Sequence, residues 1–338
     1  MWSIESPLVR RAFAAVVLVA AGAAHADVVV PAEAAPRPIS AKARRVGGHA
    51  VRTLGEHTLV AIWGSGDDLF AVGDTESIHS GDGGGTWTRA RTGTMLPAVS
   101  VWGTSRDDVY AGTVNGVVLH TRDAGRSWQT VFIMPSYGGS LHAAWASGPN
   151  DVYLVGAMGG WNHSADGGRT WSSRSDYTGP NYEAIAGGGP ASLWYVVDPL
   201  RKDGGLRHST DHGATSTRST LPLPTDYFPR IALWVDASGV YVAAGSLYSP
   251  QSDVYRSDDE GKSWMHVGAT KGVIYALWGD GRGELWAVGG DGLVLRAHGQ
   301  SLRALPRVGN KDLNGVWGTA AGRVFAVGEG GIVVELAR

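Results

Sequence analysis

The acids and histidines in this chain that could do chemistry recur at intervals, and the recurrence limits what they can do. Asp82, Asp123, Asp166, Asp211 and Asp259 each follow a Ser or Thr by two positions and precede a Gly by two. Calcium wants several oxygens converging on one point, and one carboxylate per repeat supplies no such convergence. A short carboxylate beside glycine instead accepts backbone N–H bonds and closes a tight turn. The pairs Asp67-Asp68, Asp107-Asp108 and Asn150-Asp151 read as turn residues too. His79, His120, His163 and His208 each immediately precede the Ser or Thr, and Arg256 holds that place once. Zinc needs its ligands in one tetrahedral cluster, so histidines spread one to a repeat predict no metal site. There is no cysteine, no GxSxG elbow, no HExxH and no phosphate-binding loop. The sequence therefore assigns no catalytic residue and no cofactor.

These acids belong to a recurring phrase, Ser/Thr-x-Asp-x-Gly-x-Thr/Ser-Trp. It reads SGDGGGTW from Ser80, TRDAGRSW from Thr121, SADGGRTW from Ser164 and SDDEGKSW from Ser257, with a worn copy, STDHGATS, from Ser209. The Gly tolerates a positive φ. Trp87, Trp128, Trp171 and Trp264 each start the next strand with a large apolar ring. A second phrase, such as AIWGSGDDLFAVG at 61–73 or ALWGDGRGELWAVG at 276–289, appears seven times, as two short apolar strands around a Gly/Asp turn. Its anchors are Trp63, Trp102, Trp145, Ala186, Trp234, Trp278 and Trp317. That spacing is the period of a four-stranded propeller blade. The phrase supplies strands A and B, and strands C and D enter and leave the carboxylate turn. The expected fold is all-β: a seven-bladed β-propeller of four-stranded blades. The seventh unit stops after Ile332 to Leu336, one strand short, and HAVRTL at 49–54 precedes blade one with no partner. This N-terminal strand is predicted to complete the last blade and close the ring.

The carboxylate phrase resembles the Asp-box (BNR) repeat of the sialidase-like β-propellers. The resemblance implies the fold and a structural role for Asp82, Asp123, Asp166, Asp211 and Asp259. The hydrolases of that superfamily carry an arginine triad, a Tyr/Glu pair, an acid/base Asp and an Arg-Ile-Pro signature. No Arg-Ile-Pro occurs here, and Phe228-Pro229-Arg230-Ile231 only echoes it in the wrong blade. The chain resembles more the non-enzymatic members, such as the photosystem II stability/assembly factor-like and sortilin-like propellers. The expected function is an exported, non-enzymatic platform that binds a protein or a glycan. The alternative is a sialidase-like glycoside hydrolase.

Arg10 and Arg11, the apolar run Ala12 to Ala24 and the small-x-small site Ala24-His25-Ala26 read as a signal peptide over 1–26. The run is too short to span a membrane. With no cysteine there is neither a disulfide nor a lipid-modified N-terminus. Residues 27–48, with Pro31, Pro36, Pro38 and Gly47-Gly48, have linker composition, so the propeller is expected over 49–338. A formal charge of −2 gives no basis for nucleic-acid binding. The expected location is periplasmic or extracellular.

Function is expected where the repeat fails. The A–B and C–D turns share one face of a propeller, while the D–A and B–C connections share the other and are free to vary. In blades three to five these connections lengthen: 173–183, 198–205, 220–230 and 245–253. Together with Trp161 they carry Tyr177, Tyr182, Tyr227, Phe228 and Tyr248, beside Arg201, Lys202 and Arg230. Aromatic rings with a few cations suit a protein or glycan contact. The expectation is that these rings stand exposed on one patch.

Overall fold

The computed structural model describes residues 36–134, 139–174, 179–189, 191–224, 229–246 and 251–337. These form seven antiparallel sheets arranged as a seven-bladed β-propeller, with strands A to D in sequence order in blades one to six and an N-terminal strand in the D position of blade seven. The signal peptide expected over 1–26 lies outside the described residues.

Blade seven closes the ring as the unpaired phrase demanded. His49–Thr53 lies antiparallel to Ile332–Leu336, with Val51 opposite Val334 and Arg52 opposite Val333. The buried His49 ties both termini: its Nδ1 accepts from Ala337 N at 2.9 Å, which leaves Nε2 to donate to the Pro306 carbonyl at 2.9 Å. The linker reading of 27–48 is corrected for its described part. Arg37–Ile39 adds a fifth strand to blade one, against Trp87–Arg91, and Arg44–Val46 adds one to blade seven, against His49–Thr53. Gly47 and Gly48, both at positive φ, form the two-residue hairpin turn between Val46 and His49. Proline and glycine here bracket strands, because the outer edges of two D strands were open to pairing and Ile39 packs towards Trp87.

The carboxylate turns repeat atom for atom. In blade one Asp82 accepts from Thr86 N at 2.9 Å and Thr86 Oγ1 at 2.8 Å, and Ser80 Oγ donates to Asp82 while accepting from Gly84 N. Asp123, Asp166, Asp211 and Asp259 make the equivalent bonds, so the copy without tryptophan is intact as a turn. Two successive residues are left-handed in each turn, the glycine and the residue before it. Ala124, His212 and Glu260 take that earlier position at φ 59.

Between blades, strand B of one blade meets the turn of the next. A Cβ on Gly84 would lie 2.4 Å from the Phe325 ring, and one on Gly261 would lie 2.3 Å from Trp194. Tyr110 Oη, from blade two, donates to the Gly167 carbonyl of blade three at 2.8 Å. The strand-C histidines lie against the same strand-B rings within their own blades: His120 stacks on Tyr110, His163 on Tyr153 and His208 on Trp194, and His79 is tilted over Phe70, at 4.0–4.5 Å between centroids.

Around the channel a second contact repeats. In five blades the strand-A indole rests on the glycine after the corresponding anchor of the next blade. A Cβ on Gly103 would lie 2.9 Å from Trp63, on Gly187 2.4 Å from Trp145, on Gly279 2.8 Å from Trp234, on Gly318 2.1 Å from Trp278 and on Gly64 3.0 Å from Trp317. The exception explains the rule. Blade four has Ala186 in place of the indole, and blade five carries Val235 where the others need a small residue.

Two predictions follow from these contacts. Gly318→Ala should destabilise the fold by about 1–3 kcal/mol through overpacking against Trp278. Adding Trp278→Ala should recover part of that loss in thermal melts, as the Ala186–Val235 arrangement implies. Hydrogen bonds from Thr170, Thr215 and Ser263 hold Asp166, Asp211 and Asp259 at about 2, against 3.8 unperturbed. The folded carboxylates bind protons more weakly than the unfolded ones. Their stabilisation is therefore complete above about pH 3.8 and is lost as pH falls towards 2. Between pH 5 and pH 2.5 the wild type should lose more melting temperature than the triple Asp→Asn variant.

Candidate functional site

The face that carries the A–B and C–D turns is occupied by its own structure. The C–D turn of blade one bonds to its A–B turn through Gly83 N and the Asp67 carbonyl, at 2.8 Å. The strand-C histidines pair within their own blades: His79 Nε2 with Asp68 at 2.7 Å, His120 with Asp108 at 2.8 Å and His163 with Asp151 at 2.7 Å. Asp68, Asp108 and Asp151 are therefore histidine partners as well as turn residues. Blade six places Glu284 and Arg296 at the same two positions, and blade seven reverses the signs with Arg323 and Glu335. Burial lowers the pKa of His79, against the raising effect of its Asp68 partner. Among the described residues no group of three or more His, Asp or Glu is placed to hold a metal ion.

The opposite face gathers the D–A and B–C connections. Gly159 N, in the B–C loop of blade three, donates to the Pro180 carbonyl of the following D–A segment at 2.9 Å. Of the proposed patch, Tyr177, Tyr227, Phe228 and Tyr248 lie outside the described residues. Trp161 is a correction: its side chain is buried, at 4% exposure, between blades three and four. The reason lies in register. Trp161 pairs with Val155 as Ser77 pairs with Val72 in blade one, so the two hold equivalent strand-C positions. Ser77 Oγ accepts from the indole of Trp128, the turn tryptophan of blade two, at 2.9 Å. In blade four that turn tryptophan is replaced by Ser216. The large and small partners have changed places, and Trp161 fills the interface from the other side. It packs edge-on against Tyr182, Tyr195 and Tyr153 at 4.9–6.2 Å.

The remaining patch residues divide between two places. Tyr182 is half-buried, and it lines a cleft of about 560 Å³ together with the exposed Arg201 and Lys202. Arg230 is half-buried in strand A of blade five, its guanidinium 5.9 Å from the centre of the Tyr275 ring. It belongs to an arc of polar groups at the start of successive A strands. His142 Nδ1 lies 3.4 Å from Glu183 Oε2, and Tyr275 Oη donates to Asp312 at 3.4 Å. Burial raises the Glu183 pKa, but the His142 hydrogen bond and charge, with Arg230, outweigh it and hold the carboxyl below its ordinary value. Sequence reasoning missed His142, Glu183, Tyr275 and Asp312, which share no residue type and stand a whole blade apart. It also missed four large apolar side chains exposed on this face: Met95 (76%), Ile133 (48%), Met158 (42%) and Leu200 (48%).

The fold defines the chain as a seven-bladed β-propeller. No known protein family matches its sequence, and no curated protein does. Solved structures share the architecture. YCF48 from Cyanidioschyzon merolae is 16% identical, with a TM-score of 0.64 over 90% of this chain and 98% of that one. YCF48 bound to D1 peptide is 17% identical at 0.64, covering 88% and 100%. A streptogramin B lyase is 13% identical at 0.67, covering 88% and 96%. A binding protein and a lyase both appear, so these likenesses speak to fold alone.

The interface around Trp161 yields a prediction that reverses the one its exposure would have given. Trp161→Ala should destabilise the protein by about 3–5 kcal/mol, as expected for a buried indole. A melting temperature equal to wild type would place the ring at the surface after all.

Proposed function

We propose that this protein is an exported, non-enzymatic propeller that acts as a binding platform for a protein partner through its D–A/B–C face. The observation that carries the reading is the exposure of Met95, Ile133, Met158 and Leu200 on that one face, in blades one to four. Each residue stands at a connection or at the loop end of a strand. Met158 adds a second sign. It sits in left-handed backbone at φ 55, and Asn181 Oδ1 accepts from its N–H at 3.1 Å. A bulky residue in that conformation costs stability, which the surroundings must offset. Exposed methionines suit adaptable protein contacts, and Arg201 and Lys202 beside Leu200 supply a charged rim.

The carboxylate turns fit the Asp box, which in this reading is scaffold: its groups are consumed by turn hydrogen bonds. Export rests on Arg10 to Ala26, and no helix of the described residues is long and apolar enough to cross a membrane. The YCF48 structure with a D1 peptide shows that a propeller of this architecture serves protein recognition in another chain, which supports the reading without identifying a partner. Capture from an envelope extract tests it. Met158→Ser with Leu200→Ser should reduce recovery of the captured partner at least tenfold at an unchanged melting temperature. Hydrolysis of fluorogenic sialosides by the wild type, with equal capture by the double variant, would favour the sialidase-like alternative instead.

A further inference from the structure

The cleft between blades three and four is a consequence of one side chain. In the other four carboxylate turns the terminal tryptophan packs beside a neighbouring residue: Trp87 on Phe325 at 6.5 Å, Trp171 on Phe132 at 5.1 Å, Trp128 bonded to Ser77 and Trp264 to Ser219. Ser216 leaves that volume unfilled in blade four. Trp161 takes part of it, and the rest stays open as the cleft of about 560 Å³ that Ser216 lines. That volume is in the range of small-ligand sites.

The lining is selective. Tyr195 and Arg207 are cross-strand partners, so the guanidinium stands on the same side of the sheet as the ring. Arg207 Nη2 donates to the Asp203 carbonyl at 2.6 Å, which holds it in place. Arg201 and Lys202 rise from a loop that its own bonds make firm: Arg201 N donates to the Asp198 carbonyl at 3.1 Å, and Gly204 N to the Arg201 carbonyl at 2.9 Å. Neither cation is ion-paired with another described residue. Among the described residues that line the cleft, three are cations and one is an acid, Asp203, in a chain of net charge −2.

We propose that this cleft binds a carboxylated saccharide, one uronic acid unit of an acidic glycan chain. The excess of positive charge calls for an anion. The Asp203 carboxylate only accepts hydrogen bonds, and a ligand that meets it beside the cations must bring donors too. The Tyr182 ring, with Pro180 and Val197, offers apolar surface for C–H groups. A uronic acid carries a carboxylate, several hydroxyl donors and an apolar ring face in one unit. An acidic peptide side chain carries only the first. The cleft shares Arg201 and Lys202 with the rim of the protein-binding face but uses neither Met158 nor Leu200.

Titration calorimetry with short oligomers of galacturonate, mannuronate and hyaluronan tests it, with maltotriose and an oligoglutamate peptide as controls. At least one uronate oligomer should bind, more weakly as salt rises, while maltotriose and the peptide do not. Ser216→Trp, which refills the slot, should weaken that binding at least tenfold. Should that variant fail to fold, Arg201→Ala with Lys202→Ala, both on an exposed loop, should do the same. Met158→Ser with Leu200→Ser should leave uronate binding unchanged, so failure of the face and failure of the cleft are read separately. Silence of all three uronates, equal binding of maltotriose or the peptide, or full binding by the Arg201/Lys202 variant would each overturn the proposal.

Discussion

The backbone ladders of this propeller run within blades, so the contacts between blades fall to side chains and to single backbone bonds such as Ala98 N to the Asp74 carbonyl at 2.9 Å. The most demanding of these contacts is the strand-A indole laid on the next blade's backbone. At Gly318 there is no room for a methyl group, because the Trp278 ring stands 2.1 Å from where it would be. The Trp-Gly dipeptide therefore joins two requirements from different interfaces. The indole packs forward onto the following blade, and the glycine admits the indole of the preceding one. Where blade four gives up its indole for Ala186, blade five carries a larger side chain at Val235, which this coupling allows. Stability of the ring is thereby distributed: each blade needs both neighbours, and closure by His49–Thr53 completes the last pair of interfaces.

A second coupling runs through the outer part of the blades. The carboxylate turn presents two left-handed residues, and the glycine of the pair lets the strand-B ring of the preceding blade approach closely. Behind that ring, a strand-C side chain stacks on it and reaches an acceptor at the start of strand B. The partners change along the ring from Asp–His to Glu–Arg to Arg–Glu, and the geometry stays. What the fold constrains is a flat or planar cationic group over a ring with a partner at its end. In blade seven the flat group comes from the other strand: Arg323 lies 5.0 Å from the centre of Phe325, with Glu335 opposite.

The blade count, the strand order and the closing strand were legible in the sequence because each rests on a phrase repeated at a fixed period. The outer strands were not. Composition over 27–48 is that of a linker, and only the open edges of Trp87–Arg91 and His49–Thr53 turn Arg37–Ile39 and Arg44–Val46 into strands. The burial of Trp161 was within reach of the sequence in two halves, the misplaced tryptophan and the missing one at Ser216. Joining them required the cross-strand register, which shows that Trp161 stands where Ser77 stands. The arc of His142, Glu183, Arg230, Tyr275 and Asp312 was beyond reach for a different reason. Its members share neither type nor motif, and only the convergence of the A strands on one axis relates them.

The same packing decides where this molecule can vary. On the face of the A–B and C–D turns, carboxylate, hydroxyl, glycine and histidine are each committed to a bond or a ring contact, so change there breaks the scaffold. The D–A and B–C connections answer to fewer such demands, and the exposed apolar groups collect among them, with cations that have no ion pair among the described residues. Blade four shows how a change passes from one kind of position to the other. With Ser216 in place of tryptophan, the turn keeps every carboxylate bond, since Asp211 still accepts from Thr215 N at 2.8 Å and Thr215 Oγ1 at 2.6 Å. The indole could be lost without losing the turn, because the turn is closed by polar bonds and the indole acts only in the interface. Trp161 fills part of the interface from the opposite side, and the space left between Tyr195, Arg207 and the 198–204 loop stays open as the cleft without exposing the core.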